Sequence, residues 1–168
     1  MLDIVPFGRH IDETMKPTTT DNVQLQRVLE GICVGVSDGD SMHMELTDGE
    51  RVRVRLYGID APEKDQEFAL FARRKLGKLI YNRQIRVEVV DIDKYGRYVG
   101  RVYAGDRYVN RFMLKEGLAW HYKHYAAEDE LLAEAESRAR AAGRGIWASA
   151  VPCRPRLFRR EKRLKEEI

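Results

Sequence analysis

The strongest constraint on the fold is a short stretch in which apolar and charged side chains alternate strictly. Residues 51–56 read Arg-Val-Arg-Val-Arg-Leu. Such alternation is typical of a β-strand with one buried and one solvated face. The turn sequence Asp48-Gly49 separates this stretch from a second β-type run, Met42–Leu46. The two runs therefore predict a β-hairpin, and they exclude an all-helical protein.

The segments around this hairpin predict the remaining elements of a small barrel. Further strands are predicted over 25–36, 85–89 and 99–103, and helices over 64–81, 110–116 and 128–142. The order of three strands, one helix, two strands and two helices is that of an OB-fold. We therefore predict an α+β, mainly β protein: a five-stranded OB-fold barrel with three helices. The sequence has no Gly-rich strand-to-helix turn, which argues against a dinucleotide-binding fold.

The two ends of the chain differ in composition from its centre. Residues 1–22 contain two prolines and a threonine run without periodicity, and they predict a flexible N-terminal arm. Residues 23–150 form the predicted barrel domain, and residues 151–168 form a basic tail. From Arg154 to Ile168 the net charge is +4, whereas the rest of the chain carries −1. The tail is expected to be a solvated end, an arm that attracts phosphates, or a segment docked through Leu157, Phe158 and Leu164.

Location and assembly are only weakly constrained by the sequence. No apolar run approaches 18 residues, which excludes a membrane-spanning helix. The first twenty residues lack the pattern of a secretory signal, so we expect a cytoplasmic protein unless a signal was removed. The two cysteines, Cys33 and Cys153, are too few for a disulfide scaffold and are expected to be free thiols. We expect a monomer.

Three polar clusters flank the predicted strands, at residues 37–41, 55–63 and 93–97. Among the groups they supply are the carboxylates of Asp40, Asp60 and Glu63 and the guanidinium groups of Arg55 and Arg97. Carboxylates with main-chain and water oxygens suit Ca²⁺, and arginines bind phosphate in a bidentate manner. A further carboxylate can take a proton from water. The set favours phosphodiester hydrolysis, although each cluster by itself is more typical of a simple turn or a helix start.

In this order, the clusters resemble the staphylococcal-nuclease-like (thermonuclease) family. The family is marked by a DGDT-like turn, an R-L-x-x-I/V-D-x-P-E segment and a D-K-Y-G-R segment. The corresponding segments here are Asp38-Gly39-Asp40-Ser41, Arg55-Leu56-Tyr57-Gly58-Ile59-Asp60-Ala61-Pro62-Glu63 and Asp93-Lys94-Tyr95-Gly96-Arg97. Gly117-Leu118-Ala119 and Gly145-Ile146-Trp147 are also similar to the family, so the likeness extends from about Leu25 to Trp147.

The resemblance implies a calcium site made of two carboxylates and one main-chain group. Asp40 and Asp60 would hold Ca²⁺ by their carboxylates, and Ala61 would contribute its carbonyl oxygen. The family often has threonine where this chain has Ala61. Because the implied ligand there is a main-chain atom, the change of side chain matters little.

The resemblance also implies the catalytic and phosphate-binding groups. Glu63 would be the general base that orients or deprotonates the attacking water. Arg55 and Arg97 would bind the scissile phosphate and stabilise the pentacovalent transition state. Lys94 and Tyr95 would help to hold a neighbouring phosphate. Attack by water would expel the 5′-oxygen and leave a 3′-phosphate.

An aromatic run near residue 120 offers groups that could stack on nucleotide bases. By the resemblance, Trp120, Tyr122 and Tyr125 are the candidates for this role. His121 and His124 lie in the same run and are expected to be surface groups that line the same groove. Base stacking tolerates many sequences, so a broad choice of substrate is expected.

One departure from the family concerns the segment that follows Glu63. In some members a long loop there covers the active site, whereas residues 64–67 of this chain lead directly into the predicted first helix. We therefore expect an open site in which Glu63 is less firmly placed.

These observations predict a calcium-dependent endonuclease that acts on DNA and also on RNA, with single strands favoured. The alternative is a non-catalytic OB-fold module that binds nucleic acids. Degenerate relatives keep the barrel but lose the carboxylates or arginines. This chain has all five, namely Asp40, Arg55, Asp60, Glu63 and Arg97, and this favours the enzyme.

Overall fold

The structure is a computed structural model that describes residues 27–167. The strands are β1 Val28–Val36, β2 Ser41–Leu46, β3 Arg51–Leu56, β4 Ile59–Asp60, β5 Gln84–Ile92, β6 Tyr98–Ala104, β7 Arg107–Tyr108 and β8 Trp120–His121. The helices are α1 Ala69–Ile80, α2 Val109–Lys115, α3 Lys123–Ala126, α4 Glu130–Ala141 and α5 Pro155–Glu166, with a 3₁₀ turn at Gly145–Ala148. The predicted N-terminal arm, residues 1–22, lies outside the described residues, as does the start of the predicted first strand.

The five long strands form a closed barrel. β1 pairs with β2 and β5, β2 with β3, and β5 with β6, all in antiparallel register. A parallel pairing of β3 with β6, which joins Arg55 to Val99, closes the sheet. Val52, Val54 and Leu56 are buried inside this barrel, as their alternation predicts. The structure confirms the predicted OB-fold. Its described part adds elements that the sequence analysis did not predict: the short β4, β7, β8 and α3, and the helix α5.

The first helix begins later than predicted, at Ala69 instead of Lys64. Phe68 has a φ of 66°, and a residue in this left-handed conformation cannot continue an α-helix. Its side chain packs against a second apolar cluster, which contains Trp120 and Trp147. Burial of Phe68 therefore overrides the helical pattern of the preceding residues.

The C-terminal tail forms a helix, α5, that contacts the barrel through polar groups. Arg159 forms an ion pair with Glu63, and Lys162 lies 2.7 Å from a carboxylate oxygen of Asp65. Leu157 and Leu164, two of the apolar contacts expected for a docked tail, are exposed. Phe158, the third of these residues, is partly buried, and Pro155 is buried. Docking thus combines ion pairs with limited apolar burial, and it is not driven by burial of the two leucines.

Two other expectations concern the described residues directly. No helix between residues 27 and 167 is long and apolar enough to cross a membrane. Cys33 is buried and Cys153 is partly buried, and both are free thiols.

Barrel closure is supported by one buried side-chain amide at the start of α2. The Oδ1 atom of Asn110 accepts a hydrogen bond from the Val102 N–H at 2.9 Å. Its Nδ2 atom donates to the carbonyl oxygens of Tyr57, at 2.8 Å, and Gly100, at 3.2 Å. Asn110 therefore connects α2, β6 and the turn after β3 at the point where the barrel closes.

We expect Asn110→Ala to lower the free energy of unfolding by about 2–4 kcal/mol, because the Val102 N–H and the Tyr57 carbonyl lose their hydrogen bonds to the amide. Denaturant unfolding of the variant and the parent protein measures this difference. Lys115→Ala, which truncates an exposed side chain of the same helix, is the control and should change the value by less than about 0.5 kcal/mol. A similar loss for both variants would contradict a special role for the amide.

Candidate active site

One cavity of about 1430 Å³ opens at the end of the barrel where β3 and β6 meet. Ten of the residues assigned a site role from the sequence line it: Asp40, Arg55, Asp60, Ala61, Glu63, Lys94, Tyr95, Arg97, Tyr122 and Tyr125. They come from the clusters at residues 37–41, 55–63 and 93–97 and from the segment after β8, up to 85 positions apart in the sequence. Tertiary structure thus brings these residues together, while the role of each one stays a prediction.

The centre of the cavity is a guanidinium shared by two carboxylates. Arg55 forms an ion pair with Asp40, and its Nη2 atom lies 3.3 Å from an Asp60 oxygen. The same Nη2 atom donates to the carbonyl oxygen of Ile59 at 3.1 Å. The second carboxylate oxygen of Asp40 accepts the main-chain N–H of Ala61 at 2.8 Å. Asp40 and Asp60 are both buried, so these contacts are shielded from water.

The close packing of like charges changes the titration of these carboxyls. Burial would raise the pKa of Asp40, but the charge of Arg55 and the Ala61 N–H outweigh it and lower the pKa. Burial, together with the charge of Asp40, raises the pKa of Asp60 to about 6. The same two causes raise the pKa of Asp38 to about 6. A cation placed among these groups would relieve their repulsion.

Two glycines allow the loops that carry these residues to approach one another. A Cβ atom on Gly39 would lie 2.7 Å from the Cβ of Ala61 and 2.9 Å from that of Ala72. Gly58 has a φ of +72°, a conformation that other residues rarely adopt. The Gly58 turn reverses the chain between β3 and β4, so that Arg55 and Asp60 face each other.

Glu63 lies at the rim of the cavity and is held from two sides. Its main-chain N–H donates to the Oε1 atom of Gln66 at 2.8 Å, and its carboxylate pairs with Arg159 of α5. The expectation that Glu63 is less firmly placed is therefore wrong, because α5 packs against the short segment after Glu63. The Nε2 atom of Gln66 donates to the carbonyl oxygen of Cys153 at 3.0 Å, which anchors the chain just before α5.

Arg97 is positioned by the turn that precedes it. Asp93 accepts the Arg97 main-chain N–H at 3.0 Å and its Nε atom at 2.7 Å. Arg53 donates from Nη2 to the carbonyl oxygen of Tyr95 at 2.6 Å, which ties the turn to β3. The hydrogen bonds to Asp93 leave the two Nη atoms of Arg97 without a hydrogen-bond partner among residues 27–167.

The aromatic run after residue 119 is only partly as expected. Tyr122 and Tyr125 line the cavity with ring centroids 5.3 Å apart, and Tyr125 is exposed. Trp120 is instead buried against Trp147, so the expectation that it stacks on bases is wrong. His121 is buried rather than on the surface, and its Nε2 atom donates to the carbonyl oxygen of Ala126 at 2.7 Å. The short β4–β8 pairing explains the error, since it turns residues 120 and 121 inward.

Asp38 and Arg159 are among the lining residues that were not assigned a role from the sequence. Asp38 belongs to the same turn as Asp40, and this position could have indicated from the sequence that it lies at the site. Arg159 is one of seven basic residues in the tail, and nothing in the sequence distinguishes it from the other six.

The donor set fits a hard cation. In residues 27–167, no cluster of three or more His, Cys, Asp or Glu side chains is arranged to hold a metal ion. A cation at Asp40 and Asp60 would thus depend on these two carboxylates together with main-chain and water oxygens, a set that suits Ca²⁺. Burial and the neighbouring charge of Asp40 raise the pKa of Asp60, and a bound cation would offset both effects.

Comparison with known proteins places these residues in a family. The family model described as "Staphylococcal nuclease homologue" matches residues 53–149. A rice (Oryza sativa subsp. japonica) protein named a probable staphylococcal-like nuclease is 42% identical over 113 residues. That match covers 67% of this chain but only 30% of the rice protein, so the chain spans less than a third of that relative.

Bacterial relatives are matched over more of their length. A protein of Haemophilus influenzae named an uncharacterized endonuclease is 35% identical, with 78% of this chain and 73% of that protein covered. An Escherichia coli protein with the same description is 38% identical, with 80% and 87% covered.

The pKa of Asp60 predicts how stability depends on pH. Its value is raised from 3.8 to about 6 on folding, so the unfolding free energy should fall as pH rises from about 4 to about 6. We expect Asp60→Asn, measured in chelator, to remove this part of the dependence and to raise stability at pH 7 by about 1–3 kcal/mol. Asp106→Asn, at an exposed turn, should leave the pH profile unchanged. A loss of stability in Asp60→Asn at pH 7 would instead mean that attraction by Arg55 dominates.

Proposed function

The chain belongs to the staphylococcal nuclease homologue family, and on this basis we propose that it is a calcium-dependent endonuclease. The observation that carries the proposal is the single cavity shared by the paired carboxylates, Glu63 and the arginines. A non-catalytic binding module would not require this combination. The names of the relatives support nuclease activity, and the chemistry of the donor set supports the metal.

Asp40, Asp60 and the carbonyl group of Ala61 are the proposed calcium ligands. Bound calcium would supply positive charge close to the phosphate oxygens. The chain itself places the carboxylates through Arg55 and through the Ala61 N–H, both of which contact Asp40. The resulting site keeps the two acidic groups close together before any ion binds.

Glu63 is the proposed general base. It would accept a proton from the attacking water, whose oxygen then bonds to phosphorus as the bond to the 5′-oxygen breaks. The products would be a 3′-phosphate and a 5′-hydroxyl, the leaving oxygen having taken a proton from solvent. Glu63 must release Arg159 to do this, because the guanidinium occupies one of its carboxylate oxygens.

Arg55 and Arg97 are the proposed phosphate-binding groups. Guanidinium groups stabilise the charge that grows on phosphate oxygens in the transition state. Asp93 orients Arg97 through its Nε atom, so that the Nη atoms can face a ligand. Lys94 and Tyr95, in the same turn, would contact a neighbouring phosphate.

The substrate is proposed to be DNA and also RNA, with single strands favoured. Tyr122 and Tyr125 present ring surfaces at the cavity, and stacking on such rings does not depend on base identity. An unpaired strand can expose its bases to these rings, whereas a duplex holds them in its own stack.

We expect cleavage of single-stranded DNA to cease in a calcium chelator and to return when Ca²⁺ is restored, because the proposed ligands are hard oxygens. A fluorescent single-stranded substrate measures the rate. Calorimetric titration of Ca²⁺ into the parent protein and into Asp40→Asn checks the site independently of turnover. Full activity in chelator would contradict the calcium mechanism.

We expect Glu63→Gln and Arg97→Ala each to lower kcat about 100-fold or more, since one removes the base and the other removes transition-state charge stabilisation. Glu67→Gln and Arg74→Ala, at exposed positions nearby, are the matched controls and should retain parental kcat. Binding of a single-stranded oligonucleotide by the Glu63 variant should persist. Near-normal turnover in both site variants would favour the alternative, a non-catalytic nucleic-acid-binding module.

A further inference from the structure

A third arginine reaches the cavity from the end of the chain. Arg159 lines the cavity and pairs with the Glu63 carboxylate through Nη1. Its side chain is 48% exposed, so a ligand in the cavity can reach it. The family match ends at residue 149, and α5 therefore lies outside the matched region.

The position of Arg159 is determined by contacts on both sides of it in the sequence. Lys162, one helical turn later, lies 2.7 Å from an Asp65 oxygen. Before the helix, the carbonyl oxygen of Cys153 accepts the Gln66 side chain at 3.0 Å. Pro155 is buried at the first turn of α5. These contacts hold α5 beside residues 63–66, so that Arg159 is directed at the cavity.

The arginines of the cavity differ in how many donors remain free. Both Nη atoms of Arg55 are engaged, one by Asp40 and the other by Ile59 and Asp60. Arg97 uses Nε on Asp93, and Arg159 uses Nη1 on Glu63. Among residues 27–167, the Nε and Nη2 atoms of Arg159 have no hydrogen-bond partner. The donors available to an entering phosphate therefore come largely from Arg97 and Arg159.

The negative charge around Glu63 also favours a phosphate-binding role for Arg159. Asp60 and Glu63 lie in the same cavity, and their negative charge repels an entering phosphate. A guanidinium beside Glu63 offsets this repulsion. If it moved from the carboxylate to the phosphate, it would also free Glu63 to act on water.

We propose that Arg159 is a phosphate-binding residue of the active site, delivered by the C-terminal helix and held on Glu63 until substrate enters. The proposal deepens the proposed nuclease function and rests on it. It differs from general attraction by a basic tail, because a single residue of α5 is expected to carry most of the effect.

The test compares Arg159→Ala with Arg160→Ala, which removes the same charge from the next, exposed position of α5. Binding of a labelled oligothymidylate is measured by fluorescence anisotropy in chelator, and KM and kcat are measured with Ca²⁺. We expect Arg159→Ala to raise Kd and KM about tenfold or more and Arg160→Ala to raise them less than about twofold. Arg159→Lys, which keeps the charge but not the planar donor group, should fall between them.

Equal effects of the two alanine variants would overturn the proposal in favour of general electrostatic attraction. A higher kcat/KM in Arg159→Ala would overturn it in favour of an inhibitory contact with Glu63.

Melting temperatures show whether α5 docking is altered. Lys162→Ala, which removes a docking ion pair outside the cavity, measures the effect of docking separately. If the parent protein binds the oligonucleotide but does not cleave it, the nuclease function fails while the binding comparison still decides the role of Arg159. Absence of binding by the parent protein would overturn both.

Discussion

The parallel pairing of β3 with β6 closes the barrel. Because these two strands are far apart in sequence, their pairing brings loops from remote parts of the chain to one end of the barrel, where they line the cavity. The pairing sets Arg55 against Val99, next to the turn that carries Arg97. Asn110 supports the same junction with three hydrogen bonds, two of them buried. The closed sheet therefore holds the loops at this end of the barrel close together, and their polar side chains line one cavity.

The cavity concentrates negative charge that the fold only partly compensates. Arg55 lies between Asp40 and Asp60, and its charge keeps Asp40 ionised while the pKa of Asp60 rises to about 6. An arrangement that served stability alone would not bury two acidic groups beside each other. Such uncompensated charge is what a cation site requires, and it connects the stability of the fold with the proposed chemistry.

The sequence predicted those features that depend on neighbouring residues. It failed for features that depend on contacts between residues far apart in the chain. The alternation in β3 predicted its buried face because the period of a strand depends only on neighbouring residues. The start of α1 was wrong because Phe68 packs against residues about fifty positions or more later in the chain. Trp120 and His121 were placed on the surface for the same reason, since the β4–β8 pairing that buries them has no local signature.

By itself, the sequence determined the barrel strands and the identity of the acidic and basic groups that the cavity needs, since both follow from residue type and short spacing. Only the tertiary structure decided that α5 packs beside Glu63 and that Arg159, among seven basic residues of the tail, reaches the cavity. The physical reason is that an ion pair between positions 63 and 159 depends on where two remote segments lie in space. Charge alone made every basic residue of the tail an equal candidate, and the geometry of the folded chain selected one.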